Sequence, residues 1–279
     1  MNREIPVVIL AGGLGTRLRE ETEFRPKPMV PIGGKPILWH IMKHYSYYGF
    51  KKFIICLGYK GEVIKDYFLN YQLQSSDFSI NTETGRIIEH QKKNENWDIT
   101  LVDTGQDAQT GARIARIADY IDTETFMLTY GDGLSDINLN DLLNFHLIHK
   151  KNMTVSGVLM PLRFGHLALD GNKVIAFSEK KRISKEWING GFFVCNKKVL
   201  AQCSTDSLCV FERDVVPVFS QTDQLMAYKH EGFWYCMDTL RDQELLAHLW
   251  ETSAPWKVWE SKENNSFFLS KKIKENEMG

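Results

Sequence analysis

No stretch of the 279-residue chain is apolar for long enough to cross a bilayer. Behind Met1-Asn2-Arg3-Glu4-Ile5-Pro6, which carries an acidic residue and a proline, the first apolar run is Val7-Val8-Ile9-Leu10-Ala11. A membrane helix needs about 20 residues and a secretion signal a longer apolar core, so neither is expected. Net charge is equally scarce: 34 basic residues face 35 acidic ones, leaving −1. Such a balance gives no field to draw nucleic acid or an anionic membrane, and neither is expected as a partner. The five cysteines (Cys56, Cys195, Cys203, Cys209, Cys236) are odd in number and scattered, with no Cys-x-x-Cys. They read as buried free thiols in a reducing, cytoplasmic setting. No Gly-x4-Gly-Lys-Ser/Thr occurs, which excludes a P-loop. His40 and His44 share a helical face but lack the glutamate of the zincin pattern, so they read as packing residues. There is no internal repeat and no Gly-, Ser- or Pro-rich linker to cut the chain into independent domains.

What the chain does contain begins at Val7. The short, continuous, β-branched run to Leu10 is the pattern of a strand buried on both faces of a parallel sheet. It stops at Gly12-Gly13-Leu14-Gly15-Thr16-Arg17, and after nine intervening residues comes Lys27-Pro28-Met29. Glycines let successive backbone N–H groups turn toward an anion without a Cβ in the way. Arg17 and Lys27 add two positive charges, so the loop suits a polyphosphate. The third glycine of the dinucleotide fingerprint is missing, since Leu18 stands three after Gly15.

Downstream, apolar periodicity predicts a helix over 35–45, a buried strand at 52–59 and a crossover helix over 62–73. Short connections of this kind imply a mainly parallel sheet with right-handed crossovers. Residues 75–97 read as a β-hairpin excursion and an oligomer contact. A core strand returns at 99–105, a helix opens at Thr110 and runs to about residue 120, and a strand over 125–130 ends in Gly131-Asp132-Gly133. Beyond residue 150 the pattern changes to strands separated by turns (154–158, 168–169, 173–178, 190–195, 225–229), which implies a more mixed half. A short helix is expected over 211–219 and another after Asp238, running to residue 250.

Two aspartates follow apparent strands directly, Asp132 and, about a hundred residues later, Asp238. The carboxyl edge of an open α/β sheet is where ligands sit. Two carboxylates from separate strands, completed by phosphate oxygens and water, suit Mg²⁺. Nothing in the spacing alone brings the two together.

The first loop resembles the signature of the sugar-phosphate nucleotidyltransferases, Gly-Gly-x-Gly-Thr-Arg-Leu followed by Pro-Lys-Pro. Tyr130-Gly131-Asp132-Gly133, Glu179-Lys180, Ile188-Asn189-Gly190-Gly191-Phe192 and Met237-Asp238-Thr239 occur in that family's order and spacing. More narrowly, several stretches are similar to the glucose-1-phosphate cytidylyltransferase branch. They are Gly33-Gly34-Lys35-Pro36-Ile37-Leu38-Trp39-His40-Ile41-Met42, Thr100-Leu101-Val102-Asp103-Thr104-Gly105, Gly232-Phe233-Trp234 and Ala254-Pro255-Trp256-Lys257-Val258-Trp259. The likeness covers about residues 5–259.

The resemblance implies an α/β, Rossmann-like nucleotidyltransferase fold. A mixed, mainly parallel central sheet would carry helices on both faces and a smaller β-rich sugar-binding part. One domain spans 1–259, with a nucleotide-binding half over about 1–150, a sugar-binding half over 151–259, and a tail over 260–279. The reaction implied is Mg²⁺-dependent attack of α-D-glucose 1-phosphate on the α-phosphate of CTP. Carried over by position, the backbone of Leu10, Ala11, Gly12 and Gly13 would hold the cytidine part, with Thr110, Arg113 and Gly131 near the nucleotide. Gly15, Thr16, Arg17 and Lys27 would hold the triphosphate, and Asp132 and Asp238 the Mg²⁺. Lys180 would meet the sugar phosphate, and Glu179, Asn189 and Gly190 the sugar hydroxyls. The resemblance also implies a homo-oligomer, a hexamer or trimer, that serves surface-polysaccharide synthesis.

Two departures from the family pattern bear on substrate choice. Lys181 stands where the family writes proline, and Ala112 where it commonly writes glycine, so a methyl is expected to narrow the nucleotide pocket. The alternatives are therefore another sugar or polyol phosphate, another nucleotide, or, ranked last, a non-catalytic paralogue. A glycosyltransferase of the related fold would carry Asp-x-Asp, which Asp132-Gly133-Leu134 lacks.

Overall fold

A computed structural model describes residues 4–90, 95–159, 166–178 and 186–260. Its centre is a seven-stranded sheet. In chain order the strands are β1 (Val7–Leu10), β2 (Lys52–Leu57), β3 (Asp98–Asp103), β4 (Thr125–Tyr130), β5 (Met153–Leu159), β6 (Trp187–Asn196) and β7 (Leu225–His230). In space they run β7-β5-β6-β4-β1-β2-β3. β1 lies parallel between β2 and β4, with Leu10 in register with both Cys56 and Tyr130. β6 alone is reversed, antiparallel to β4 and β5, so the sheet is mixed but mainly parallel.

The continuous apolar run of β1 reflects burial on both faces. Val7 and Ile9 join one core with α1 (Ile37–Tyr47), while Val8 and Leu10 join a second with Ala112 and Ile114. That alternation is the period-two geometry of a strand between two layers. α2 (Gly61–Leu69) makes the crossover between β2 and β3 and stops at Leu69. A separate turn, Tyr71–Gln74, carries the rest of the expected 62–73 helix. α3 (Thr110–Arg116) is likewise shorter than expected and ends in the 3₁₀ turn Ala118–Tyr120. α4 (Leu139–His149) was not anticipated, although Asn138 caps it by accepting from the N–H groups of Asn140 and Asp141. α5 (Val216–Gln221) and α6 (Leu240–Thr252) complete the helices used below. Among the described residues no helix is long and apolar enough to cross a membrane.

Two stretches far apart in sequence meet on one side of the sheet. Trp256 is fully buried, stacks on Phe233 and Trp250, and donates its indole N–H to His40 Nδ1 at 3.3 Å. Trp259 packs edge-on against Trp39. The His40 ring closes its other side on the Ile32 carbonyl at 2.8 Å, and His44 does the same with Ile137 at 2.9 Å. Burial pushes both imidazoles down to about 4, so they stay neutral and serve packing. The 75–97 segment contains the expected hairpin, Phe78–Ile80 with Ile87–Glu89.

A small ribbon decides the geometry of the site. Gly133–Ser135 pairs antiparallel with Trp234–Cys236, Cys236 opposite Gly133. One step beyond, the Met237 N–H donates to the Asp132 carbonyl at 2.9 Å. This pairing draws the chain after β4 against the chain entering α6, and with it Asp132 against Asp238.

Candidate active site

The carboxyl ends of β1 and β4, the bulge in β6 and the Gly133 ribbon surround one cavity of about 470 Å³. Its walls include Leu10, Ala11, Gly12, Gly13, Gly15, Thr16, Arg17 and Lys27 from the first loop. Thr110, Arg113, Gly131, Asp132, Asn189, Gly190 and Asp238 close it from later elements. Glu179 and Lys180 lie outside the described residues, as does Lys181.

The first loop takes its shape from two glycines. Gly15 has φ +61°, the left-handed conformation that opens the 3₁₀ turn Thr16–Leu18. At Gly12 a Cβ would lie 2.2 Å from Arg113 Nη1, so the backbone there can sit against the guanidinium only without a side chain. Arg113 is 4 % exposed. Its Nη1 donates to the Leu57 and Gly105 carbonyls and to Thr104 Oγ1, each at 2.8 Å, and its Nη2 to Gly12 at 2.9 Å and Gln106 at 3.2 Å. Arg113 therefore braces the loop while also lining the cavity. Ala112, expected to narrow the pocket, is buried in the apolar layer with Cys56 and Phe211 and is not part of the cavity wall. The helix turns its methyl inward, so the departure from glycine is absorbed by the core.

At one end of the cavity lies a charged cluster. Lys27 Nζ bonds Asp132 Oδ2 at 2.6 Å and Asp238 Oδ1 at 2.7 Å, and Arg17 Nη1 reaches Asp238 Oδ2 at 2.9 Å. Burial works against the Lys27 charge, but Asp132 and then the bonds to both carboxylates outweigh it and hold its pKa above the ordinary lysine value. Arg17 is 72 % exposed, so its bond to Asp238 adds little stability. Asp238 is fixed by the start of α6, where Thr239 and Asp242 form a reciprocal capping box. Asp242 Oδ2 also accepts from the Asp238 N–H at 3.1 Å, and its Oδ1 from the Tyr235 hydroxyl at 2.9 Å. Burial alone would raise the Asp242 carboxyl; the Thr239 and Tyr235 bonds reverse this and hold it below the usual value.

Cys236, two residues before Asp238 at the end of the ribbon strand, was not among the expected site residues. Its Sγ and the carboxylate oxygens of Asp132 and Asp238 all lie within 4.8 Å of one another. The set fits a divalent cation: hard carboxylate oxygens converge on a point where an ammonium already bonds both. Burial and the neighbouring Asp132 push the Cys236 thiol up, so it sits there as S–H.

On another wall of the cavity, Asn189, Gly190 and Gly191 form a bulge inside β6. Val155 pairs with Phe193 and Gly157 with Asn189, leaving extra residues on β6. Gly191 has φ +79° and lies flat on the Tyr130 ring, where a Cβ would come within 2.6 Å. Trp234 Nε1 donates to the Gly190 carbonyl at 2.7 Å, which fixes the bulge against the ribbon.

A nucleotidyl transferase family profile matches residues 6–242. A glucose-1-phosphate cytidylyltransferase of Salmonella typhi is 50% identical over 255 residues, 91% of this chain and 99% of the relative. A probable glucose-1-phosphate cytidylyltransferase of Bacillus subtilis (strain 168) is 43% identical over 253 residues, 90% of this chain and 99% of the relative. Among solved structures, HddC from Yersinia pseudotuberculosis complexed with GMP-PN is similar with a TM-score of 0.65 and 25% identity, covering 88% of this chain and 99% of its own.

Proposed function

The chain belongs to the nucleotidyl transferase family, and on that premise we propose that it forms CDP-glucose and pyrophosphate from CTP and α-D-glucose 1-phosphate. The observation that carries the reaction class is Lys27 bonded to both Asp132 and Asp238 beside a cradle of backbone amides. The choice of CTP and glucose 1-phosphate rests on the names of relatives sharing up to half of the aligned residues.

In the reaction, a phosphate oxygen of the sugar phosphate forms a bond to the α-phosphorus of CTP. The bond from that phosphorus to the α,β-bridging oxygen breaks, and pyrophosphate leaves with the electron pair. An anion attacks an anion, so catalysis is mostly positioning and charge neutralisation. The sugar phosphate is already ionised near neutral pH, and no general base or covalent nucleophile is needed. The amides and glycines of the first loop accept the cytidine part and the phosphates. Arg17 and Lys27 neutralise charge that builds on the departing pyrophosphate. Asp132 and Asp238 would hold Mg²⁺, which when bound supplies charge neutralisation at the phosphate oxygens. Lys27, bonded to both carboxylates, would offer its charge to the triphosphate beside them. Asn189 and Gly190, on the β6 bulge, face the sugar, and Glu179 and Lys180 are proposed to bind the sugar phosphate with them.

The test is pyrophosphate release with Mg²⁺ across a panel of nucleoside triphosphates and sugar 1-phosphates. CTP with glucose 1-phosphate is expected to give the highest kcat/KM; a higher value for another pair would replace this substrate assignment.

A further inference from the structure

Glu212 has no role in the scheme above, yet it joins two parts of the cavity wall, the β6 bulge and the first turn of α3. It stands on the single π turn Phe211–Val215, whose Phe211 and Val215 are buried as anchors. Single π turns recur at functional sites. Each carboxylate oxygen takes one hydroxyl hydrogen. Tyr130 donates to Oε1, and Thr110 Oγ1 donates to Oε2 at 2.7 Å. Thr110 Oγ1 in turn accepts from the Phe211 N–H at 2.9 Å. The Tyr130 oxygen accepts from Asn189 Nδ2 at 3.2 Å, and Asn189 Oδ1 accepts from the Gly191 N–H at 2.8 Å. The line Gly191–Asn189–Tyr130–Glu212–Thr110 thus runs from the β6 bulge to the first turn of α3, and three of its side chains line the cavity.

A hydroxyl has one hydrogen to give, and a carboxylate can only accept. With both hydrogens committed to Glu212, Thr110 and Tyr130 can offer a ligand only lone pairs. We infer that Glu212 is a positioning residue that fixes the hydrogen-bond polarity of this wall, making Thr110 and Tyr130 acceptors toward ligand and tying its nucleotide-facing and sugar-facing parts into one unit. Such a wall selects ligand groups that donate, an exocyclic amine or a sugar hydroxyl, and disfavours groups that only accept. Which part faces nucleotide and which faces sugar rests on the reading above; the polarity itself does not.

The experiment uses whichever nucleotide and sugar phosphate the full-length wild-type protein turns over best, so a wrong substrate assignment leaves it intact. Glu212→Gln keeps the size but presents an amide N–H₂ to one hydroxyl. That hydroxyl must then turn and give its hydrogen to the cavity. Glu212→Ala removes the acceptor altogether. Each is compared with wild type for KM of either substrate at low and at saturating co-substrate, together with the melting temperature. About a tenfold rise in both KM values is expected for Glu212→Ala, with kcat changed far less, and loss of any dependence of one KM on the other substrate. Glu212→Gln is expected to fold like wild type yet shift the KM ratio between ligands that donate and ligands that accept at the same position. Tyr130→Phe, which leaves Glu212 with Thr110 alone, is expected to reproduce the effect on one substrate only. Unchanged KM values and ratios in folded Glu212→Gln and Tyr130→Phe would overturn the proposal, as would a fall in melting temperature with no change in either KM.

Discussion

Two carboxylate-centred clusters sit at the same cavity and are built on opposite principles. In one, Asp132 and Asp238 share a single ammonium, and the guanidinium of Arg17 stands beside them. Full charges of both signs lie within hydrogen-bond reach, and the arrangement has cations to give to a phosphate. In the other, one carboxylate, Glu212, is shared by two neutral hydroxyls. Among the described residues no cation bonds it, and what it controls is the direction of hydrogen bonds. The first cluster is suited to act on the charge of a transition state, the second to fix where substrates lie. The difference teaches that a carboxylate in an active-site wall has no fixed role; its partners assign one.

Making the same chemical change in each cluster separates them most sharply. Asp132→Asn, an oxygen exchanged for an amide, is expected to abolish pyrophosphate release, a loss of about a thousandfold or more. The identical exchange at Glu212 should act on KM. Wild-type-like turnover by Asp132→Asn would remove that residue from the mechanism and collapse the contrast. Next in size, Lys27→Met should cost about a hundredfold or more in kcat, because the triphosphate loses a positive charge and two carboxylates are left facing each other. Measured turnover within a few fold of wild type would show that Lys27 only ties the aspartates together.

Arg113→Ala probes a cation that belongs to neither cluster. Its buried guanidinium serves five acceptors, so its removal should lower the urea-unfolding free energy by about 3 kcal/mol and weaken nucleotide binding through the loosened loop. A loss of nucleotide affinity without loss of stability would mean that Arg113 touches the ligand.

The last prediction concerns pH dependence and lies outside both clusters. His40 and His44 have pKa values near 4 in the fold against 6.5 in the unfolded chain. The folded values are depressed, so the fold favours the neutral ring. That stability is complete above about pH 6.5 and is lost as pH falls toward 4, where the unfolded chain takes up protons that the fold refuses. Each buried ring contributes at most about 3 kcal/mol to the acid loss. Urea midpoints measured from pH 7 to 4 should fall steadily; a flat profile would place these rings in contact with water.

The strands β1 to β4 were readable from residues, though not their order in space, because parallel strands buried on both faces leave continuous apolar runs such as Val7–Leu10 and Lys52–Leu57. The glycine loop and its cations were readable for a different reason: an amide cradle demands residues without side chains. The meeting of Asp132 and Asp238 was not readable from spacing. It depends on a ribbon of three residues a side, Gly133–Ser135 with Trp234–Cys236, too short to leave a periodic pattern. The capping box that fixes Asp238 was visible as Thr239-Leu240-Arg241-Asp242, a recognised start signal for a helix. Cys236 also had a signal, its two-residue spacing from Asp238 on an extended segment. Glu212 had none, because its partners Tyr130 and Thr110 are 82 and 102 residues away. The expected effect of Ala112 failed for a simple reason: α3 turns that position toward the core.

The central claim is that the sugar phosphate's oxygen attacks the α-phosphorus at the Lys27 cluster, and one labelling measurement addresses it directly. Glucose 1-phosphate with heavy oxygen in its non-bridging phosphate positions is incubated with CTP, Mg²⁺ and the wild-type protein, and both products are weighed by mass spectrometry. All of the label is expected in CDP-glucose and none in pyrophosphate. Label in the pyrophosphate, or turnover of CTP with no CDP-glucose formed, would contradict it.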